Sequence, residues 1–254
     1  MRAELEAIVS ELKRLKAEGK ENIFIGDDSM QNLKAVVNQY KSNLTNETIS
    51  EAEDPSTSQL PVIELPPGDK QMRWEWLRKK VLQCPVCNEH VGVGKKVVFG
   101  VGNIDADIFF CGEAPGADED AQGAPFVGRA GRLLTKMINT LGIERQDVYI
   151  TNIVKCRPPK NRNPTPAEIS CCMPALRQQI ELINPKLIVT LGNVPSKTLI
   201  PELPGITKAH GRIMRYENWT TLPTFHPSYL LRNRSAMPQA WDDFKKIPEL
   251  AFQQ

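Results

Sequence analysis

The twenty residues Gly112–Gly131, GEAPGADEDAQGAPFVGRAG, constrain this chain more than any other stretch. They follow an apolar run, Ala106–Cys111, which reads as a buried strand. They precede Arg132–Leu141, where Leu133, Leu134, Met137 and Leu141 recur at the spacing of an amphipathic helix. Five glycines, two prolines and four carboxylates make the connection far more than a minimal turn. Glycine lets backbone pass where a Cβ would block it. In a parallel sheet, a loop at the carboxyl end of a strand is where ligands bind. The plainer alternative is an acidic surface loop.

Further apolar segments read as strands: Lys95–Val101, Val148–Val154, Lys186–Leu191 and Thr220–Phe225. Helical patterns separate them, at Arg132–Leu141, Pro166–Ile183 and Val194–Ile200. Strands alternating with helices predict an α/β fold with a parallel sheet covered on both faces. Upstream, Leu5, Ile8, Val9, Leu12 and Leu15 form a helical stripe, and residues 1–41 read as a helical extension. Its apolar stripe suits a protein partner or the body of the molecule; a solvated tail is the alternative. Residues 42–68 carry EAEDPSTSQLP and ELPPG, a composition expected of a disordered linker. The main domain is therefore expected over 69–254, opening with a helix around Trp74, Trp76 and Leu77.

The six cysteines accompany no export signal in MRAELEAIVSELKRLKAEG, which predicts a reducing, cytoplasmic setting. No apolar run reaches membrane-spanning length. Cys84-Pro85-Val86-Cys87 places two thiolates within reach of one metal centre. Cys156 and Cys172 bracket a proline-rich segment, CRPPKNRNPTPAEISCC, that runs into a helix. Spacing alone leaves zinc, a dithiol and an iron-sulfur cluster open, and Cys171 competes with its neighbour Cys172. Cys111 reads as a small buried hydrophobe. The net charge of +2 does not announce a nucleic-acid binder, so any basic surface must be local.

Three motifs occur in order: GEAPGADED with GAPFVGRAGRLL, then Thr151–Pro159 (TNIVKCRPP), then His226–Leu231 (HPSYLL). Together they resemble the family 4 uracil-DNA glycosylases, the iron-sulfur branch of the uracil-DNA glycosylase superfamily. The resemblance covers about Leu82 to Phe244. It implies a three-layer α/β/α fold around a central, mainly parallel four-stranded sheet. It also implies a monofunctional enzyme of base-excision repair that flips uracil from single- or double-stranded DNA and hydrolyses its N-glycosidic bond. A monomer, associated with the nucleoid in a prokaryote, is expected.

By the same resemblance, Phe126 stacks on the uracil, Glu113, Ala114 and Pro115 line it, Asn152 reads its edge and His226 donates to O2. Bond cleavage develops negative charge on the base, so fixed donors should carry catalysis. Better-known branches place a water-orienting aspartate where this chain has Ala114. That leaves Glu113 as first choice for the water and Glu119 as second; Glu119 alternatively walls off the C5 side against thymine. The family layout assigns Cys84, Cys87, Cys156 and Cys172 to a structural [4Fe–4S] cluster. DNA contacts are expected mainly to phosphate, from Lys155, Arg157, Arg162, Ser228 and Arg232, with Lys160, Arg234 and the segment Lys208–Arg212 as further candidates. Leu230 and Leu231 are candidates to wedge into the base stack. The competing readings are a catalytically weak iron-sulfur DNA-binding protein of the same fold and a zinc or thiol-redox protein. His90 and His210 are expected to be surface residues.

Overall fold

The computed structural model describes residues 63–85, 87 and 96–252. The helical extension over 1–41, the linker as far as residue 62, and His90 lie outside the described residues. One expectation at the linker's edge changes. Ile63 and Leu65, placed in the linker from composition, pack partly buried against the core, so they belong to the domain rather than to the linker.

Helix α1 (Lys70–Leu82) starts at Asp69, whose side chain accepts from the backbone N–H of Met72. It buries Trp74, Leu77 and Val81 at the spacing the sequence shows. Strand β1 (Val101–Gly102) and strand β2 (Ile108–Gly112) follow, then α2 (Ala117–Gln122) and α3 (Arg129–Thr140). Strand β3 (Tyr149–Asn152) leads through the proline-rich loop into α4 (Pro166–Ile183). Next come β4 (Leu187–Leu191), α5 (Asn193–Leu199), α6 (Ile206–Ala209), β5 (Met214–Tyr216) and β6 (Trp219–Thr224). Helices α7 (Pro227–Arg232), α8 (Met237–Phe244) and α9 (Ile247–Phe252) close the described chain.

The sheet order is β1-β3-β2-β4-β6-β5. The inner strands β3, β2, β4 and β6 are parallel, as expected. Two short antiparallel edge strands, β1 and β5, extend them to six strands. The strand expected over Lys95–Val101 is reduced to Val101–Gly102 at its end. Residues ahead of it run beside other groups: Val98 N–H donates to the Lys155 carbonyl at 2.7 Å, and Lys96 N–H to the Asp120 carbonyl at 3.0 Å. Gly100, at φ +141°, lies where a Cβ would collide with the Tyr149 hydroxyl.

The pleat sorts side chains to two faces. Phe109, Cys111, Tyr149 and Ile188 join α1 and α4 residues such as Trp74, Leu77, Leu176 and Ile180 in one core. Ile108, Phe110, Ile150, Val189 and Leu222 join Leu134 and Ile138 of α3 and Phe244 of α8 in the other. The result is three layers, α/β/α. Chain order reverses beside β2: β3 lies on one side of it and β4 on the other. Such a reversal opens a crevice at the carboxyl ends of the strands. Gly112, Asn152 and Thr224 end β2, β3 and β6 at that crevice.

Candidate active site

A cleft of about 420 Å³ lies there, lined by residues including Glu113, Ala114, Pro115, Glu119, Phe126, Asn152, His226, Ser228 and Arg232. The expected base-binding residues are thus brought together from three separate strand ends. Gly112 makes this convergence possible. A Cβ on it would meet Asn152 Oδ1 at 2.4 Å and Phe126 Cζ at 2.6 Å. The Phe126 ring and the Asn152 amide therefore approach each other across bare backbone.

Phe126 is held in the left-handed region, at φ +52°, which is uncommon for a bulky residue. Its carbonyl presses on Gly131, where any Cβ would overlap it. Arg145 donates to the carbonyl of neighbouring Pro125 at 2.8 Å and fixes the approach. Glu119 supplies the main fastening. Its Oε1 accepts from the N–H groups of Val127 (2.9 Å) and Gly128 (3.0 Å), and its Oε2 from Gly116 N–H (3.1 Å). One carboxylate thus staples both ends of the loop that presents Phe126, and a group so occupied is poorly placed to orient water.

Glu113 is different. It is half-buried in the cleft and forms no hydrogen bond or ion pair through its side chain with another described residue. Burial raises its pKa. Asn152 is buried, and its Oδ1 has no hydrogen-bond partner among the described residues. A buried acceptor without a donor costs about 1–3 kcal/mol, which a ligand N–H would recover.

His226 caps α7. Its Nδ1 accepts from Ser228 N–H at 3.1 Å and lies 2.8 Å from Ser228 Oγ. An Nδ1 that accepts from a backbone N–H carries no proton, so the neutral ring holds its hydrogen on Nε2. Burial, reinforced by nearby Arg232 and opposed by Glu119, pulls its pKa down to about 4. The ring lies 5.6 Å from the Phe126 ring, centroid to centroid. The site therefore offers a stacking face, an amide with an open acceptor, a neutral imidazole donor and an unpaired carboxyl.

Two expected DNA contacts do not survive the structure. Lys155 is 1% exposed and directs its ammonium inward, so it does not reach a phosphate. Leu230 is fully buried in the second core and cannot wedge into a base stack. Ser228 and Arg232 line the cleft. Arg162 also lines it, gripping Glu168 with both terminal nitrogens at 2.7 and 2.8 Å. Arg157 pairs with Asp120 at 3.5 Å and donates to Asn161 at 2.7 Å. Leu231 is half-buried beside exposed Arg232. His210, expected on the surface, is partly buried, within 3.2 Å of Asp243 and 4.5 Å from the Phe225 ring.

The cysteines gather behind β3, beside the cleft. Cys87, Cys156 and Cys172 are buried, and Cys84 is half-buried. The Cys87 thiol donates toward Cys156 and Cys172, which pushes its own pKa up and pulls Cys156 down and Cys172 to about 7. The Lys155 backbone N–H also donates to Cys172. Exposed Cys171 lies within hydrogen-bonding reach of Cys84, and its pKa rises to about 11, chiefly through burial and then its thiol neighbours. Among the described residues no group of three or more His, Cys, Asp or Glu side chains is arranged as a ready-made site for a metal ion. Cys87, Cys156, Cys171 and Cys172 line one small pocket, with Val154 and Pro158 beside them. Among the described residues no helix is long and apolar enough to cross a membrane.

The pocket is built from loops at the switch point of an α/β/α sheet, with the Phe126 ring and the Asn152 amide among its lining. The profile of the Uracil DNA glycosylase superfamily matches residues 99–245. The type-4 uracil-DNA glycosylase of Thermotoga maritima is 48% identical over 163 residues, covering 63% of this chain and 84% of the relative. That of Archaeoglobus fulgidus is 41% identical over 180 residues, covering 68% and 90%. A type-5 uracil-DNA glycosylase of Pyrobaculum aerophilum is more distant, 33% identical over 146 residues, covering 51% and 64%. The chain belongs to the uracil-DNA glycosylase superfamily, within its type-4 family.

Proposed function

We propose that this enzyme hydrolyses the N-glycosidic bond of uracil in DNA, leaving an abasic site for base-excision repair. The observation that carries the reading is the orphaned Asn152 Oδ1, set across Gly112 from Phe126. Uracil presents an N–H at N3 and an acceptor at O4, the complement of a carboxamide. Phe126 stacks on the flipped base. His226, neutral and protonated on Nε2, donates to O2 as negative charge develops there. A neutral donor does not have to be deprotonated or desolvated at the moment of reaction. Glu113 orients the attacking water, since Glu119 is committed to backbone N–H groups. Ala114 and Pro115 wall the base. Arg157, Arg162, Ser228 and Arg232 contact phosphate at the rim, and Leu231 is the remaining candidate wedge.

Cys84, Cys87, Cys156 and Cys172 hold a [4Fe–4S] cluster. Such a cluster supplies a cross-link between the flank of α1, the loop after β3, and α4, with no reaction step passing through it. The four-sulfur donor set and the buried thiols support this reading. A catalytically weak DNA-binding protein is the competing possibility. Purified protein incubated with uracil-containing oligonucleotides, single-stranded and duplex, should yield alkali-labile abasic sites. An absence of such product on both substrates would overturn the glycosylase reading.

A further inference from the structure

Lys155, in the middle of the second motif, is 1% exposed and forms no ion pair with another described residue, yet every donor of its ammonium is used. Its Nζ donates to the Asn152 carbonyl at 2.8 Å, to Thr151 Oγ1 at 2.7 Å and to Gln179 Oε1 at 2.7 Å. Gln179, on α4, donates in turn to the Phe99 carbonyl at 3.0 Å and to the Tyr149 hydroxyl at 3.1 Å. Thr151 Oγ1 donates to the same Phe99 carbonyl at 2.8 Å. The last two residues of β3 are thus tied by one ammonium to the long helix on the sheet's inner face. An ammonium has three donors, and all three are satisfied.

We propose that Lys155 is a positioning residue for base recognition: it fixes the backbone of Asn152 so that the Asn152 carboxamide meets the edge of the flipped base. This rests on the reading of Asn152 as the base-reading group. The need for such a fixture follows from the site. Among the described residues the Asn152 side chain has no hydrogen-bond partner to hold it, and its buried Oδ1 is orphaned. Its orientation depends on packing against Gly112 and Phe126 and on where its own backbone sits. Beyond Asn152 the chain stays tied to the end of β2 by Ile153 N–H to the Gly112 carbonyl (2.9 Å) and Val154 N–H to the Glu113 carbonyl (3.2 Å), and buried Lys155 adds a bond to the Asn152 carbonyl itself. Misplacement of a recognition group by about 1 Å can cost on the order of 100-fold in rate.

The test compares Lys155→Met, which keeps the length of the side chain and removes its donors, with wild type and Asn152→Ala. Single-turnover excision, binding to uracil-containing DNA, iron content, and hydrogen exchange across the peptide 149–156 would be measured on the full chain. The expected result for Lys155→Met is an excision rate lower by about 10- to 100-fold. DNA affinity and iron content should stay near wild type, and exchange at the end of β3 should quicken. The preference for uracil over cytosine should narrow as well. A wild-type rate, or a loss of rate that tracks lost iron or lost folded protein, would overturn the assignment. If Lys155→Met does not fold, Gln179→Met removes the third anchor of Lys155 together with the Gln179 bonds to Phe99 and Tyr149, and the same rate and exchange shifts, smaller in size, are expected; unchanged values there overturn it too. Asn152→Ala separates the two layers of the argument: full activity in that variant sinks the base-reading role itself, whatever Lys155 does.

Discussion

At the scale of single residues, burial moves the protonation of His226 and Glu113 in opposite directions. Burial keeps His226 neutral down to about pH 4, below the ordinary histidine range. The same depression means that the unfolded chain takes up this proton first. Its contribution to stability is complete above about pH 6.5 and is lost as pH falls through about 4. Burial moves Glu113 the other way, so its ionised form disappears at a higher pH than an exposed carboxylate's. The acid limb of the single-turnover rate should therefore belong to Glu113. His226→Ala should lower that rate by about 10²–10³-fold with DNA affinity little changed. Its residual activity should keep the acid limb of the wild type. A limb that vanishes with the histidine would reassign the titration. Asn152→Asp should lose much of the preference for uracil, because a carboxylate cannot donate to O4 and accepts from the amino group of cytosine. Excision assays on paired uracil and cytosine substrates check this, and undiminished selectivity would mean that another residue reads the base. That these residues share one cleft was legible in the sequence because motif residues fall at strand ends. The two errors, Lys155 and Leu230, have a common cause. Charge suggested surface for one and an apolar pair suggested exposure for the other, and sequence gives no signal that a lysine turns inward to bond three oxygens.

At the scale of elements, the phase of α4 gives its two neighbouring cysteines different surroundings. Its start is fixed by a reciprocal cap. Thr165 Oγ1 accepts from Glu168 N–H at 3.2 Å, while Glu168 Oε2 accepts from Thr165 N–H at 2.7 Å. The hydrogen-bonded Arg162 guanidinium holds the Glu168 carboxyl down to about 2. With the helix phase set, adjacent residues point about 100° apart. Cys172 enters the core beside Cys87 and the Lys155 N–H, while Cys171 is exposed beside Cys84. Replacing Cys84, Cys87, Cys156 or Cys172 by Ala should lower iron content and yield of folded protein. Cys171→Ala should leave both unchanged. Iron loss on changing Cys171, with none on changing Cys172, would exchange the two assignments. The sequence located α4 well, since proline at its start and helical periodicity agree over its whole length. It drew edge strand β1 over Lys95–Val101, of which only the end pairs, and did not show β5, which is three residues long and so carries no periodic pattern.

At the scale of the whole molecule, the open question is where the functional body begins. Composition placed its edge near Gly68, because ELPPG reads as linker. Packing places it earlier. Ile63 and Leu65 lie half-buried against the core that α1 and α4 share, and residues 59–254 form one compact unit by contacts. A proline-rich segment with two apolar residues can dock in extended form without any periodicity to announce it. Two chains separate the readings. One beginning at Gln59 keeps both anchors, and one beginning at Gly68 loses them while retaining Asp69 as the cap of α1. Partial burial of two such side chains contributes about 1–3 kcal/mol together. The shorter chain should therefore unfold several degrees lower than the longer one. Neither truncation touches a residue of the cleft, so both should excise uracil at the rate of the full chain when folded. Thermal unfolding and single-turnover excision on the three proteins test both statements. Equal melting temperatures for the two truncations would mean that Ile63 and Leu65 contribute no stability. A folded chain from Gln59 that had lost excision would show that residues 1–58 take part in holding the DNA.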